Sequence, residues 1–552
     1  MNIQPRTILL VQPPIRDFYF TKKRSIPYGL ACIAAALEKK GFRVVILDAL
    51  ATSRTRVLEI PAEMDYLSEF YGQKDLSPFS LFHGFRHYGS SYEHIGNKAR
   101  ESGAFLVGIS SLFTAYAGEA LEVARVVKKQ HPSCRVVMGG HHPTHMPVEV
   151  LNEQAVDYVI RGEGEQPMVE LALALSGDLP MDGIKGLAYR NFEGGLVISP
   201  PVFMESPDDY PLPSLELVDQ DFYGRRNGRS TVITASRGCP MTCSYCCVAS
   251  SASCYRKRSV DKVFEEIEKA VTVHGARFID FEDENLTLDK SWCFDLLNRI
   301  CLTFGDLGLE LRAMNGLYPP SLDDELVRKM SEAGFKTLNL SLCTLSKDQL
   351  KRFRRPDVKK AYEAALDCAA RWGMDSVTYV LVGAPGQDAF ESLADLVYLA
   401  GLNTLGGVSV YYPAPGSRDF DTMKQKNTLP LSLSLMRSTA VPVSDTTTRL
   451  ESVTLLRLGR IVNYCKDLKR NAVDIKPRGL GAGEILDPSD RSASGLRLLE
   501  AFFHDGRVRG MDQDGKVYEH RVSEPLIQRF ISDAAGMILP SPTDPPGHGP
   551  RL

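Results

Sequence analysis

The chain has 552 residues, 43% hydrophobic and 24% charged, and its 65 Lys and Arg against 68 Asp and Glu leave a net charge of −3. That length exceeds what one hydrophobic core organises, so roughly three or four domains are expected. The near-neutral balance excludes a charge-driven nucleic-acid or membrane-surface binder, and no apolar run is long enough to span a bilayer. Ile8–Val11 is too short for a signal-peptide core, and twelve cysteines scattered over a long chain suit reduced or metal-bound thiols. The expectation is a cytoplasmic protein with no nucleic-acid and no membrane partner.

The first two hundred residues alternate between strand-like and helical patterns. Arg6–Gln12, Phe42–Leu47, Phe105–Ile109, Arg135–Met138 and Tyr158–Ile160 read as strands, with helices at Tyr28–Lys40 and Glu119–Gln130. Apolar strands separated by helices predict an open, parallel, doubly wound sheet, Rossmann-like, over 1–195. Ligands bind such sheets at the carboxyl ends of the strands. The residues there are Ser110, Ser111 and Thr114 after one strand, Gly139, Gly140 and His142 after the next, and Gly162 and Glu163 after the last. Gly139 and Gly140 let backbone approach a large flat ligand, and the hydroxyls can line a slot. The same glycines also suit a flavodoxin-like sheet that binds nothing. Residues 63–92 form an aromatic insertion, read either as a cap over a ligand or as a satellite hydrophobic cluster.

A Pro- and Asp-rich linker is expected over 196–230. From Thr231 a second series begins, with strands at Thr231–Ala235, Arg277–Phe281, Leu309–Ala313, Thr337–Leu342, Ser376–Val382 and Gly407–Tyr411. Six strands each followed by a helix predict a partial (β/α)6 barrel over 231–425, with its site at the carboxyl ends of the strands. A mainly helical region, 426–535, follows and shapes the substrate side; it contains a hairpin around Asp514-Gly515. The Pro-rich tail, 536–552, is expected to be disordered.

The first strand of the second series leads into Arg237-Gly-Cys-Pro-Met-Thr-Cys-Ser-Tyr-Cys-Cys247, a C-x3-C-x2-C triplet made of Cys239, Cys243 and Cys246. Three thiolates this close can hold three irons of a 4Fe–4S cluster and leave the fourth open to a substrate or cofactor. Structural zinc uses four ligands, usually as two separated pairs, and no second C-x2-C pair follows. Adjacent Cys247 is expected not to ligate the cluster.

This triplet, with Tyr245 at the aromatic position inside it, resembles the radical SAM superfamily. The three strand-end loops before it, with Ser25-Ile-Pro-Tyr-Gly-Leu30, resemble the amino-terminal domain of its cobalamin-dependent members. The resemblance runs from about residue 6 through the barrel. It implies three cofactors: a 4Fe–4S cluster, S-adenosyl-L-methionine and cobalamin. It implies that Asp283 or Glu284 contacts the S-adenosylmethionine amino group, that Gly383 and Pro385 form the turn near the adenine, and that an arginine among Arg352, Arg354 and Arg355 pairs with its carboxylate. It also implies an electron donor such as flavodoxin or ferredoxin and a small-molecule substrate. The D-x-H-x-x-G motif is missing, so cobalamin is expected base-off with no histidine on cobalt. Many relatives carry Gly-x-Glu-Ser where this chain has Ser341-Leu342-Cys343-Thr344. Thr344 preserves a hydroxyl, but Cys343 is no carboxylate, so cofactor recognition differs there.

Three functions are compatible with these residues. The first is a cobalamin-dependent radical SAM methyltransferase acting on an unactivated carbon or on phosphorus. The second is a non-methylating cyclase or rearrangement enzyme, and the third an iron–sulfur sensor or binding protein without turnover. A nucleoside pocket argues against the third. For the first, the strand ends of both α/β domains must face one cavity. Catalytic residues beyond the cofactor sites cannot be assigned from the sequence.

Overall fold

The computed structural model describes residues 6–18, 26–225, 228–248 and 254–539. Ser25 and the tail from 540 lie outside them. In the first two hundred residues the strands are β1 (Thr7–Gln12), β2 (Ile15–Asp17), β3 (Arg43–Asp48), β4 (Thr55–Leu58), β5 (Phe85–Tyr88), β6 (Leu106–Ser110), β7 (Arg135–Gly139), β8 (Tyr158–Ile160), β9 (Leu187–Arg190) and β10 (Leu196–Ile198). Seven form one sheet in the order β10-β9-β8-β7-β6-β1-β3.

Alternate residues of β1 go to opposite sides of this sheet. Leu9 and Val11 join a core with Ile95, Ala99, Val123 and Val127, from the helices Tyr92–Ser102 and Ala117–Gln130. Ile8 and Leu10 join Leu30, Leu37, Met168 and Leu171, from the helices Tyr28–Glu38 and Glu165–Ser176. Each such side chain, taken fully from water, stabilises the fold by about 1.5–3 kcal/mol. Both faces are covered, which is the doubly wound arrangement.

The sheet is parallel only from β3 to β8; β9 and β10 are antiparallel. A turn closes the last pair. The Asn191 side chain accepts from the backbone N–H groups of Glu193 and Gly195 and folds β9 back on β10 as a hairpin. The sheet therefore continues to Ile198, inside the stretch expected as linker. The rest of that stretch is not loose: Leu215, Val218 and Tyr223 are buried against Ala31.

β2, β5 and β4 make a small antiparallel sheet that carries the aromatic insertion. The insertion is not a satellite cluster. Phe18, Tyr71, Phe79 and Phe85 are nearly fully buried in the same core as the barrel and the carboxyl-terminal helices. Tyr66 donates to the Ala440 carbonyl at 2.6 Å, and Phe79 meets Tyr464 edge-on at 5.8 Å. The insertion is a clamp between the two ends of the chain.

The second α/β unit contains β11 (Arg229–Ile233), the short pair β12 (Ser236–Arg237) and β13 (Arg256–Lys257), then β14 (Ala276–Phe281), β15 (Glu310–Arg312), β16 (Thr337–Cys343), β17 (Asp375–Val382) and β18 (Leu405–Val410). β11-β14-β15 and β16-β17-β18 are parallel, and parallel bridges Leu311–Phe335 and Leu317–Leu340 join the two halves into a six-stranded partial barrel. After the short helix Arg418–Gln425, the long helix Arg449–Arg470 packs on β18, where Gly459 allows close approach to Val408. Helix was expected from 431, but it starts only at 449. Pro430 and Pro442 oppose an earlier start, and Thr448 with Glu451 forms a capping box there. The hairpin is Arg509–Met511 (β19) with Val517–Glu519 (β20), and the last helix, Glu524–Ile538, runs past the expected boundary at 535.

Candidate functional site

β12 pairs with β13, so the cysteine loop begins directly above the carboxyl end of β11. Cys243 is buried, and Cys239 and Cys246 are partly exposed. The Asn285 amide lies 3.7 Å from Cys239 Sγ, and Arg355 Nη1 lies 3.8 Å from Cys243 Sγ. Burial raises the Cys239 thiol, and the Asn285 amide beside its sulfur works against that rise. Among the described residues, these three sulfurs are not a group tight enough to share a single ion. Donor type and spread fit a cluster with one iron per cysteine rather than a zinc ion.

Around this loop the structure gathers several of the expected residues. The Tyr245 ring meets Phe353 edge-on at 4.8 Å, and its hydroxyl receives Arg355 Nη1 at 3.2 Å. Arg355 also donates to the Ser341 carbonyl at 3.0 Å and hydroxyl at 2.8 Å, and its buried Nε has no partner among the described residues. Of the three candidate arginines only Arg355 reaches the cluster loop. Arg352 is held by the Gly386 carbonyl instead, and Arg354 is exposed.

The acidic strand end divides its labour. Asp283 is buried and accepts from the backbone N–H of Ala235 at 3.1 Å and of Ser236 at 2.6 Å, tying β14 to β11. Burial pushes its carboxyl up to about 7. Its neighbour Glu284 is only partly buried, and burial raises its carboxyl too. Of the two, Glu284 is the less buried carboxylate.

Thr344 is buried; its hydroxyl accepts from Ser346 N–H at 3.1 Å and bonds Asp395, inside the protein. Cys343 takes φ +75° at a bulge in β16, and burial pushes its thiol up to about 12. Gly383 takes φ +71° beside Ser452, and Pro385 follows in a turn whose Gly386 N–H donates to Asp445 at 2.9 Å.

At the first sheet, Ser111 N–H donates to the Gly139 carbonyl at 2.8 Å, and His142 N–H donates to the Ser111 carbonyl at 3.2 Å. Gly140 has φ +120°, and a Cβ there would lie 2.5 Å from the Ser111 carbonyl oxygen. Thr114 Oγ1 pairs with His142 Nδ1 at 3.2 Å. The hydroxyl of Ser111 is buried without a partner among the described residues, and Ser110 ends β6 beside it. Leu112 and Phe113 are 45% and 50% exposed. An orphaned hydroxyl, a glycine cradle and exposed apolar side chains fit a large ligand with a flat ring and polar edges, such as cobalamin.

Gly162 and Glu163 serve another purpose. A Cβ at Gly162 would strike the Val202 carbonyl at 2.0 Å. Glu163 takes Arg256 on both oxygens, at 2.9 and 3.0 Å, and the Met204 N–H at 2.7 Å. Glu165, buried, pairs with Arg237 at 2.6 Å. These two pairs, which join the strand end of the first sheet to the base of the cysteine loop, were not expected from the sequence. Glu163 and Arg237 stood in the motifs already singled out, but nothing local pairs them with Arg256 and Glu165. The carboxyl edges of both sheets thus come together, and Gly416, after β18, touches His145, after β7.

Comparison with known proteins follows this division. The B12 binding domain family matches residues 85–172, and the Radical SAM superfamily matches 233–397. An uncharacterized methyltransferase of Pyrococcus horikoshii, PH0819, is 29% identical over 321 residues, 57% of this chain and 68% of that protein. The cytidylyl-2-hydroxyethylphosphonate methyltransferase of Streptomyces wedmorensis is 25% identical, over 70% of this chain and 75% of its own. The fold is similar to that of TsrM from Kitasatospora setae, solved with tryptophan and a SAM analogue, at 19% identity and TM-score 0.61, covering 90% of this chain and 95% of that one. The α/β chain thus carries a match to the B12 binding domain followed by a match to the radical SAM domain, in that order.

Proposed function

We propose that the protein is a cobalamin-dependent radical SAM methyltransferase acting on an unactivated carbon or a phosphorus centre of a small molecule. The observation that carries this reading is the meeting of the two carboxyl edges, because a methyl donor on one sheet and a radical source on the other need one shared space. When bound, the cluster supplies the electron that cleaves S-adenosylmethionine, and cobalamin supplies the transferable methyl group. Cys239, Cys243 and Cys246 would hold the cluster. Glu284 and Arg355 would take the amino and carboxylate ends of S-adenosylmethionine, with Tyr245 and the Gly383–Pro385 turn beside them. Ser111, Thr114, Gly139, Gly140 and His142 would hold cobalamin.

The chain's own residues prepare the space between. The pairs Glu163–Arg256 and Glu165–Arg237 fix the two edges against each other. Leu112 and Phe113 on one edge, with Met314 and Tyr412 on the other, leave apolar surface exposed at the strand ends. Apolar walls protect a reactive centre from quenching. Among the described residues no helix is long and apolar enough to cross a membrane. A cytoplasmic flavodoxin- or ferredoxin-type donor completes the proposal.

Anaerobic incubation with methyl-labelled S-adenosylmethionine and candidate substrates tests it, scoring 5′-deoxyadenosine and label separately. Label in the product is expected. 5′-Deoxyadenosine formed without label transfer would favour a cyclase or rearrangement instead.

A further inference from the structure

Among the described residues, one group of three metal-ligating side chains has its donor atoms all within 4.8 Å of one another: His141, His145 and Cys247. None of the three has a part in the cofactor sites above. His141 and His145 are the first and last residues of the short helix after β7. An i, i+4 pair lies on one face of a helical turn, the spacing by which helical histidines grip zinc. Cys247 arrives from the other domain, one residue beyond the cluster triplet.

The surroundings single out His145. Its Nε2 is buried with no hydrogen-bond partner among the described residues. A buried imidazole nitrogen without a partner is unfavourable unless something binds it. Its ring is also clamped: a Cβ at Gly416 would lie 2.1 Å from His145 Nδ1, and Gly416 sits at φ +86°. Backbone from the end of the barrel is thus drawn against an imidazole of the first domain, and a ring held this firmly is a pre-oriented ligand.

We propose that His141, His145 and Cys247 form a mononuclear site for a borderline divalent metal ion, with zinc the best match. Two imidazoles and one thiolate suit zinc, and three protein ligands leave a fourth coordination position for water or substrate. Binding displaces the thiol proton of Cys247 to solvent and changes no oxidation state. Because the histidines belong to one domain and the cysteine to the other, the ion also pins the two carboxyl edges together. Cys247 is thereby a metal ligand beside the cluster without being a ligand of the cluster.

The test uses the full chain, cluster-reconstituted and cobalamin-loaded, equilibrated with zinc and desalted. Metal analysis is expected to find about one zinc per chain in addition to the cluster iron. Zinc K-edge absorption should show sulfur at about 2.3 Å and nitrogen at about 2.0 Å. His145→Ala and Cys247→Ser should each lose the zinc and the sulfur or nitrogen signature while keeping full iron, sulfide and cobalamin. Zinc-free wild-type protein would overturn the proposal. So would zinc retained in both variants, or zinc present only before cobalamin is loaded, which would assign the space to the corrin.

Discussion

The two carboxyl edges that meet in this protein are built on opposite principles. The edge of the first sheet is shaped by glycine and small hydroxyls, with Gly140 against the Ser111 carbonyl and the Ser111 hydroxyl left without a partner among the described residues. The edge of the barrel is crowded with charge: Asp280 paired with Arg312, Asp283 and Glu284 in sequence, and Arg355 beside Cys243. One edge selects by shape and contact area, the other by charge and metal ligation. A large cofactor with a flat ring and hydrogen-bonding amides at its edge needs the first. A zwitterionic ligand on an iron needs the second. Substitutions should therefore fail differently on the two sides.

The largest effect belongs to the charged side. Cys243→Ala should abolish cluster incorporation and all S-adenosylmethionine cleavage, whereas Cys247→Ala should retain the full iron content. Iron and sulfide assays with 5′-deoxyadenosine formation read both. Equal loss in the two variants would move Cys247 into the cluster.

The shape-selective side breaks at Gly140. Alanine there adds a Cβ that clashes with a backbone carbonyl, at a φ unfavourable to any L side chain. Cobalamin affinity should fall by about tenfold or more, with cluster content unchanged. Titration followed by cobalamin absorbance decides it, and unchanged affinity would remove Gly140 from the slot.

Glu163 sharpens the comparison because its position and its contacts disagree. By position it belongs to the first edge, among the residues expected to contact cobalamin. By contact it belongs to the joint, with both carboxylate oxygens on Arg256, whose side chain is only 10% exposed. Glu163→Ala would strand that cation and should cost about 3 kcal/mol in stability. Thermal unfolding of the cofactor-free protein measures this. Lost cobalamin binding with no loss of stability would restore the ligand role.

What was legible in the sequence follows from the range of the interactions involved. The cysteine triplet and the alternation of strands and helices are local patterns, and every strand expected for the main sheet and barrel has a counterpart. The pairings of Glu163 with Arg256 and Glu165 with Arg237 span long separations, and no periodicity encodes them. The aromatic insertion was visible as an anomaly, but its destination was not, because its partners Ala440 and Tyr464 lie hundreds of residues away. Thr344 was singled out for its hydroxyl. The competitor for that hydroxyl, Asp395, sits on a helix that sequence alone does not bring near. The β9–β10 hairpin at the end of the first sheet depends on one Asn side chain capping a turn.

Asp395 offers the smallest effect, and one that tests whether the charged edge carries stored electrostatic cost. It is fully buried, accepts from Leu345 N–H at 2.7 Å and bonds Thr344, and burial pushes its carboxyl from 3.8 up to about 7. A folded carboxyl that titrates above its unfolded value binds more protons than the unfolded chain does between those two pH values. Its contribution to stability is therefore complete below pH 4 and is lost as pH rises toward 7. Asp395→Asn keeps an acceptor for Leu345 and cannot ionise, so it removes the pH-dependent part alone. Relative to wild type, the variant should gain about 2 kcal/mol between pH 5 and pH 8, as each tenfold difference in proton affinity between the folded and unfolded chain is worth about 1.4 kcal/mol. Paired unfolding curves at the two pH values measure that difference. A parallel response would mean that Asp395 is ionised throughout, and that the barrel end holds its carboxylates by compensating donors rather than by keeping them neutral.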